Sequence, residues 1–152
     1  MKILVFSDSH GRNYTIKEAL MMHPDASAVI HLGDGERDMA SLSDLLEGKT
    51  LVQVRGNCDF CSPLPDMQIF TACGADIYCT HGHNESVKYS TDGLVARARN
   101  TGARIVLYGH THRSVTEYDD GLYIMNPGAA MAGEYGIIDV TPSGIMCNNA
   151  KV

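Results

Sequence analysis

Short apolar runs recur along the chain, and five of them end in the same way. Residues 2–7 lead into Asp8-Ser9-His10, and residues 28–32 lead into Gly33-Asp34. Residues 51–55 lead into Gly56-Asn57, residues 76–80 into His81-Gly82-His83, and residues 104–108 into Gly109-His110-Thr111-His112. Each run has the length and apolar content of a buried strand. Between them the period changes. Asn13 predicts the cap of a helix through 14–22 that stops near Pro24. Met39, Leu42, Leu45 and Leu46 recur at helical spacing, with Gly48 ending that helix. Leu94, Val95 and Ala98 mark a third helix closing at Gly102.

The last third changes character. Residues 114–118 and 122–125 flank Asp119-Asp120-Gly121 and predict a hairpin with an Asp-Gly turn. Residues 135–140 and 145–147 predict another, around Pro142-Ser143-Gly144. Residues 68–71 are expected to pair with the strand at 76–80 around Gly74. Alternating strands and helices imply a parallel core sheet, and the hairpins add an antiparallel half. The expected fold is α/β, or α+β: two sheets packed face to face as a sandwich, with helices outside in four αββα layers. One domain, 1–152, accounts for the length.

Composition narrows the function. Apolar residues make up 44% of the chain, enough for a packed core. The net charge is −6 and no basic run or stripe occurs, which argues against binding long nucleic acid. A small phosphorylated ligand remains compatible if bound cations supply the positive charge. The five cysteines are odd in number, and the apolar stretch before Asp8 is too short for a secretory segment or a membrane span. A cytoplasmic location is expected. Cys58 and Cys61 form a C-x-x-C, but two thiols do not complete a zinc site, and ordinary thiols are the simpler reading. His31, within a strand, is expected to be a satisfied core or interface residue, and His23 to sit at a helix C-terminus.

The strand ends carry the candidate chemistry. In open α/β sheets, sites form outside the carboxyl ends of strands, so five similar ends suggest one site built from five loops. Asp8 and His10 are two apart and can face one ion. Asp34 follows Gly33, and Asn57 follows Gly56. His81, His110 and His112 add imidazoles. Asp, His and Asn are the donors for Mn, Fe, Zn or Ni rather than for calcium or a thiolate zinc. Seven donors exceed one tetrahedral ion and suit two ions sharing Asp34. Paired metals clamp a phosphoryl group and generate hydroxide at neutral pH, so no Ser or Cys nucleophile is needed.

The ordered blocks Asp8-Ser9-His10, Gly33-Asp34, Gly56-Asn57-Cys58-Asp59, His81-Gly82-His83 and Gly109-His110-Thr111-His112 resemble the calcineurin-like metallophosphoesterase superfamily. The Gly-Asn-Cys-Asp block and Asn126-Pro127-Gly128 are most similar to its small YfcE-like phosphodiesterases. The resemblance implies a β-sandwich flanked by helices, and two divalent transition-metal ions, manganese foremost, with iron, nickel, zinc or cobalt as alternatives. It implies Asp8, His10 and His112 on one ion, Asn57, His81 and His110 on the other, and Asp34 between them. A metal-bridging hydroxide would attack phosphorus in line, with Asn57 helping to stabilise phosphoryl charge. Many members carry His directly after this Asn, placed to protonate the leaving group; here the position is Cys58. His83 is a candidate to substitute or to bind phosphate, and Arg12 a candidate substrate contact. Arg55 is expected in a structural ion pair.

The expected activity is hydrolysis of small phosphodiesters. The alternatives are a monoesterase of the same mechanism and, in another class, a protein-interaction module such as the retromer subunit of this fold. Intact ligands weigh against the interaction module. Related proteins suggest a homodimer, and no membrane association is expected.

Overall fold

The computed structural model describes residues 1–152. The strands and helices follow in the order β1 (Lys2–Phe6), α1 (Tyr14–Met22), β2 (Ala28–His31), α2 (Glu36–Ala40), α3 (Ser43–Leu46) and β3 (Thr50–Gln53). Next come β4 (Met67–Ala72), β5 (Ala75–Thr80), α4 (Asp92–Asn100), β6 (Ile105–Leu107), β7 (Val115–Asp119) and β8 (Leu122–Asn126). A 3₁₀ turn at Ala130–Ala132 precedes β9 (Glu134–Thr141) and β10 (Gly144–Lys151).

Two five-stranded sheets form, in the orders β10-β9-β1-β2-β3 and β4-β5-β6-β8-β7. Both are mixed. In the first, β1, β2 and β3 run parallel, and β9 and β10 add antiparallel. In the second, β5, β6 and β8 run parallel between antiparallel β4 and β7. The sequence suggested a parallel half followed by an antiparallel half. The structure corrects this: the parallel strands are shared between the sheets, with β1 to β3 in one and β5, β6 and β8 in the other. The hairpins supply antiparallel strands to both sheets instead of forming a separate half.

Period-two alternation assigns the faces. Ile3, Val5, Ile30, Ile77, Cys79, Ile105 and Leu107 meet in the core between the sheets. Leu4, Phe6 and Val29 point the other way, onto Ile16, Ala19, Leu20, Met39 and Leu46 of α1 to α3. Tyr78, Val106 and Tyr108 face Leu94 and Ala98 of α4. Central strands are thus buried on both faces, which is why they read as unbroken apolar runs. The four αββα layers match the expectation.

Two local expectations fail for one reason. The helix expected around Met39 to Leu46 is split into α2 and α3. Ser41 sits at the break, and its hydroxyl donates to the Asp38 carbonyl at 2.7 Å, a local bond that competes with the helical ladder. Asn13 does not cap α1; its side-chain amide donates to that same Ser41 hydroxyl at 2.8 Å. The turns behave as predicted. Asp120 and Gly121 have φ of 39° and 83°, the left-handed pair that matches hairpin twist.

Candidate metal centre

Although the five loops come from two sheets, they converge at one end of the sandwich. Asp8, His10, Asp34, His110 and His112 all have left-handed backbones, with φ between 46° and 67°. Such conformations cost about 1–2 kcal/mol each for residues with a Cβ, and they persist where neighbours enforce them. Here the amide of Asp8 donates to Gly33 O at 3.0 Å, and that of His10 donates to Asp34 O at 2.9 Å. Gly33 and Gly56 let two loops approach closely: a Cβ on Gly33 would lie 2.4 Å from Gly56 N, and one on Gly56 would lie 2.0 Å from Asp34 Oδ1.

The side chains then meet. His112 Nε2 lies 3.1 Å from Asp8 Oδ1 and 3.4 Å from His10 Nε2. His10 Nε2 is 3.7 Å from Asp8 Oδ1 and 3.8 Å from Asp34 Oδ2. His81 Nε2 is 3.4 Å from Asp34 Oδ2 and 3.1 Å from Asn57 Oδ1. Donor atoms of Asp8, His10 and His112 fall within 4.8 Å of one another, as do those of Asp8, Asp34 and His81. His110 belongs to neither set; its ring packs edge-on against His81, centroids 5.0 Å apart.

Each carboxylate has one oxygen occupied and one turned inward. Asp8 Oδ2 accepts from Ser7 Oγ at 2.5 Å and from the His110 amide at 3.0 Å, leaving Oδ1 to the cluster. Asp34 Oδ1 accepts from the Cys58 amide at 2.7 Å, leaving Oδ2. Nδ1 of His81 is 2.7 Å from the Leu32 carbonyl, so it carries the proton and Nε2 points inward with its lone pair. Burial pushes the Asp34 carboxyl up, but His81 and the Cys58 amide outweigh it and hold the group below the usual range. Both carboxylates are almost completely buried, and the only basic side chains within reach are imidazoles. Buried carboxylates need a cation or a full hydrogen-bond shell, so this donor set fits divalent metal.

Comparison with known proteins agrees. Residues 1–141 match the calcineurin-like phosphoesterase superfamily domain. The chain belongs to that superfamily. It is 32% identical over 130 residues to the probable metallophosphoesterase YsnB of Bacillus subtilis, covering 85% of this chain and 75% of that one. It is 30% identical over 148 residues to the phosphodiesterase MJ0936 of Methanocaldococcus jannaschii, covering 84% and 83%. Among solved structures, a predicted phosphoesterase from Streptococcus pneumoniae superposes with a TM-score of 0.83 at 27% identity, covering 99% and 88%. This calcineurin-like chain is a metal-dependent phosphoester hydrolase.

Around the phosphoesterase centre lies a shell that the sequence did not announce. The Asp59 carboxylate accepts the amides of Asp34, Gly35, Glu36 and Gly56, at 2.7, 3.0, 3.2 and 2.8 Å. It therefore ties the Asp34 loop to the Asn57 loop. His31 Nδ1 accepts the Gly33 amide at 3.2 Å, so Nε2 carries the proton and donates to Ser9 Oγ at 3.2 Å. Ser9 in turn donates to Asp38 at 2.6 Å. Burial lowers the His31 pKa to about 4, against the pull of Asp59, Asp8 and Asp38, so the ring is neutral. His31 is the satisfied core residue that was expected. Asn126, fully buried, donates to the Gly109 carbonyl at 2.9 Å and to Thr111 Oγ1 at 3.0 Å, fixing the loop that carries His110 and His112.

The remaining candidates are placed as follows. Cys58 is exposed beside Asn57, whose Nδ2 lies 3.3 Å from its sulfur. Burial of the sulfur, then the Asp34 charge, pushes this thiol up. All five cysteines are free thiols. The His83 ring lies 5.4 Å from that of His81, and its buried Nδ1 has no partner. Burial and then His81 lower its pKa. Arg55 pairs with Asp66 at 2.6 Å, as expected. Arg12 is exposed at the start of α1 and does not line the open groove beside Asp34. Arg37 of α2 does, together with Cys58 and the exposed Phe60, in a volume of about 290 Å³. Nothing in the spacing of Arg12 and Arg37 distinguished them; only the turn into α2 does.

Proposed function

We propose that the protein hydrolyses small phosphodiesters at a centre of two divalent transition-metal ions, manganese foremost. The observation that carries this is the pair of buried carboxylates, Asp8 and Asp34, whose inward oxygens share their space with His10, His81 and His112 and with no Lys or Arg. Asp8, His10 and His112 would hold one ion, Asn57, His81 and His110 the other, and Asp34 both. Bound there, the pair would supply an activated water and neutralise phosphoryl charge.

The chain's own groups do the rest. The Leu32 carbonyl fixes the His81 tautomer, and the Cys58 amide orients Asp34. Asn57 presents its amide oxygen beside His81. His83, held neutral, offers a hydrogen bond to a phosphoryl oxygen. Cys58 keeps its proton but stands where a stronger acid would help a poor leaving group depart. Diesters and aryl esters, which need little such help, are therefore the favoured substrates. No helix is long and apolar enough to cross a membrane. A cytoplasmic site of action is part of this proposal, and five free thiols suit a reducing compartment.

The test is elemental analysis with kinetics on bis(p-nitrophenyl) phosphate and p-nitrophenyl phosphate. The expected results are two transition-metal ions per chain, loss of activity on chelation, recovery with manganese, and a higher kcat/KM for the diester. Full activity after complete chelation would overturn the mechanism.

A further inference from the structure

A second cavity lies beside the loop that carries His110 and His112. Its volume is about 430 Å³, and Val87, Lys88, Tyr108, Thr111, Arg113 and Val115 line it. It shares a loop with the metal ligands, because Thr111 stands between His110 and His112.

Three features of its lining point to an anionic ligand. Lys88 and Arg113 are exposed cations, and neither is among the residues joined in ion pairs, in a chain whose net charge is −6. Tyr108 lines the cavity, and no protein group hydrogen-bonds its hydroxyl, which leaves that hydroxyl free to donate to a ligand there. Thr111 Oγ1 already accepts from Asn126 Nδ2 at 3.0 Å and from the Arg113 amide at 3.3 Å, so its own proton is left to donate. Glu117 is the carboxylate whose charge reaches Tyr108; it lies one same-face position beyond Val115 on β7. Two cations against one carboxylate leave the cavity positive.

We infer that this cavity is an anion subsite, built to hold a further phosphate carried on one arm of the substrate phosphodiester. The inference rests on the phosphodiesterase reading and narrows it. Lys88 and Arg113 supply charge, while Tyr108 and Thr111 supply neutral donors that fix orientation. The substrate class is then a phosphodiester bearing a second, terminal phosphate, not one with two neutral arms.

The manganese-loaded protein is assayed on thymidine 5′-(p-nitrophenyl phosphate) with and without a 3′-phosphate. The phosphorylated substrate is expected to show a KM lower by about tenfold, a typical scale for one well-placed ion contact. In the double variant K88A/R113A that ratio is expected to fall to near one, with kcat/KM for the unphosphorylated diester kept within about twofold. Tyr108→Phe is expected to lose part of the ratio. A ratio unchanged in K88A/R113A overturns the subsite. In parallel, inorganic phosphate is titrated into chelated protein while the amides of Lys88, Thr111 and Arg113 are followed by NMR. This arm needs no turnover. Shifts that vanish in K88A/R113A support the subsite even if neither ester is hydrolysed, in which case only the phosphodiesterase reading fails. Shifts without any KM preference assign the cavity to free phosphate and overturn the substrate-arm assignment.

Discussion

The Asp34 amide donates to Asp59 Oδ2 at 2.7 Å, and the Gly56 amide donates to the same oxygen at 2.8 Å. Asp59 Oδ1 takes the next two amides, of Gly35 and Glu36. One carboxylate thus satisfies four backbone donors from two loops that each present a candidate ligand. In Asp59→Asn, an NH₂ replaces one oxygen and faces two N–H donors. The expected result is a loss of about 3 kcal/mol in unfolding free energy, for two charge-assisted bonds. Metal affinity should also fall by about tenfold or more, as for other groups that orient ligands. Urea unfolding and calorimetric metal titration check both. An unchanged metal affinity would mean that the loops hold their geometry without the carboxylate.

Asp34 and His83 are expected to differ sharply. Asp34 Oδ2 lies 3.8 Å from His10 Nε2 and 3.4 Å from His81 Nε2, so it touches both halves of the centre. His83 touches it only through ring contacts with His81 and His110. Asp34→Ala should lower kcat/KM by more than about 100-fold and reduce bound metal, whereas His83→Ala should stay within the 10–100-fold typical of outer partners and keep its metal. The comparison is made on bis(p-nitrophenyl) phosphate, with metal content measured for each protein. Equal losses with full metal in both variants would remove the shared role from Asp34.

His31 makes stability depend on pH. Its folded-state pKa is about 4, below the ordinary 6.5, because burial opposes the charged ring. Above pH 6.5 both folded and unfolded states keep it neutral, and its full contribution is present. As pH falls from 6.5 towards 4, only the unfolded chain takes up the proton, and stability is lost. The loss should approach about 3 kcal/mol at pH 4 and then level off. Denaturant unfolding across that window should show the slope in the parent protein and a shallower one in His31→Gln. Parallel slopes would place the pH sensitivity elsewhere.

How far the sequence reaches is set by what each feature depends on. Strands such as β1 and β2 are readable because burial on both faces writes a continuous apolar run. The Asp120-Gly121 turn is readable because its backbone demands those residue types. The convergence of Asp8, Asp34 and His81 was inferred from strand ends alone, and the fold does bring them together. The division of those strands between two sheets was not readable, since a strand buried on both faces looks alike in either sheet. The left-handed backbones of His10, His110 and His112 carry no signature in residue type. Asp59 acts on three amides more than twenty positions away, and Arg37 differs from Arg12 only by the path of the chain after Gly35. Such roles follow from tertiary geometry, not from local pattern.

In the proposed mechanism, Cys58 occupies the position from which a proton would reach a departing alkoxide. Its amide is committed to Asp34 Oδ1 at 2.7 Å, so the backbone there is fixed and a new side chain would start from the same place. Attack on phosphorus does not depend on this side chain, but departure of a poor leaving group does. A nitrophenolate leaves without a proton, while an alkoxide needs one, and a positioned acid contributes roughly 10²–10⁴-fold. Cys58→His is therefore expected to raise kcat for an alkyl phosphomonoester by about tenfold or more, while kcat for bis(p-nitrophenyl) phosphate changes little. The measurement is kcat for both substrates in both proteins at matched metal occupancy. The pH profile for the monoester should gain a limb near the histidine pKa, falling as the imidazolium loses its proton. If the monoester-to-diester ratio is the same in both proteins, position 58 does not set the preference, and the acid must come from His83 or from solvent.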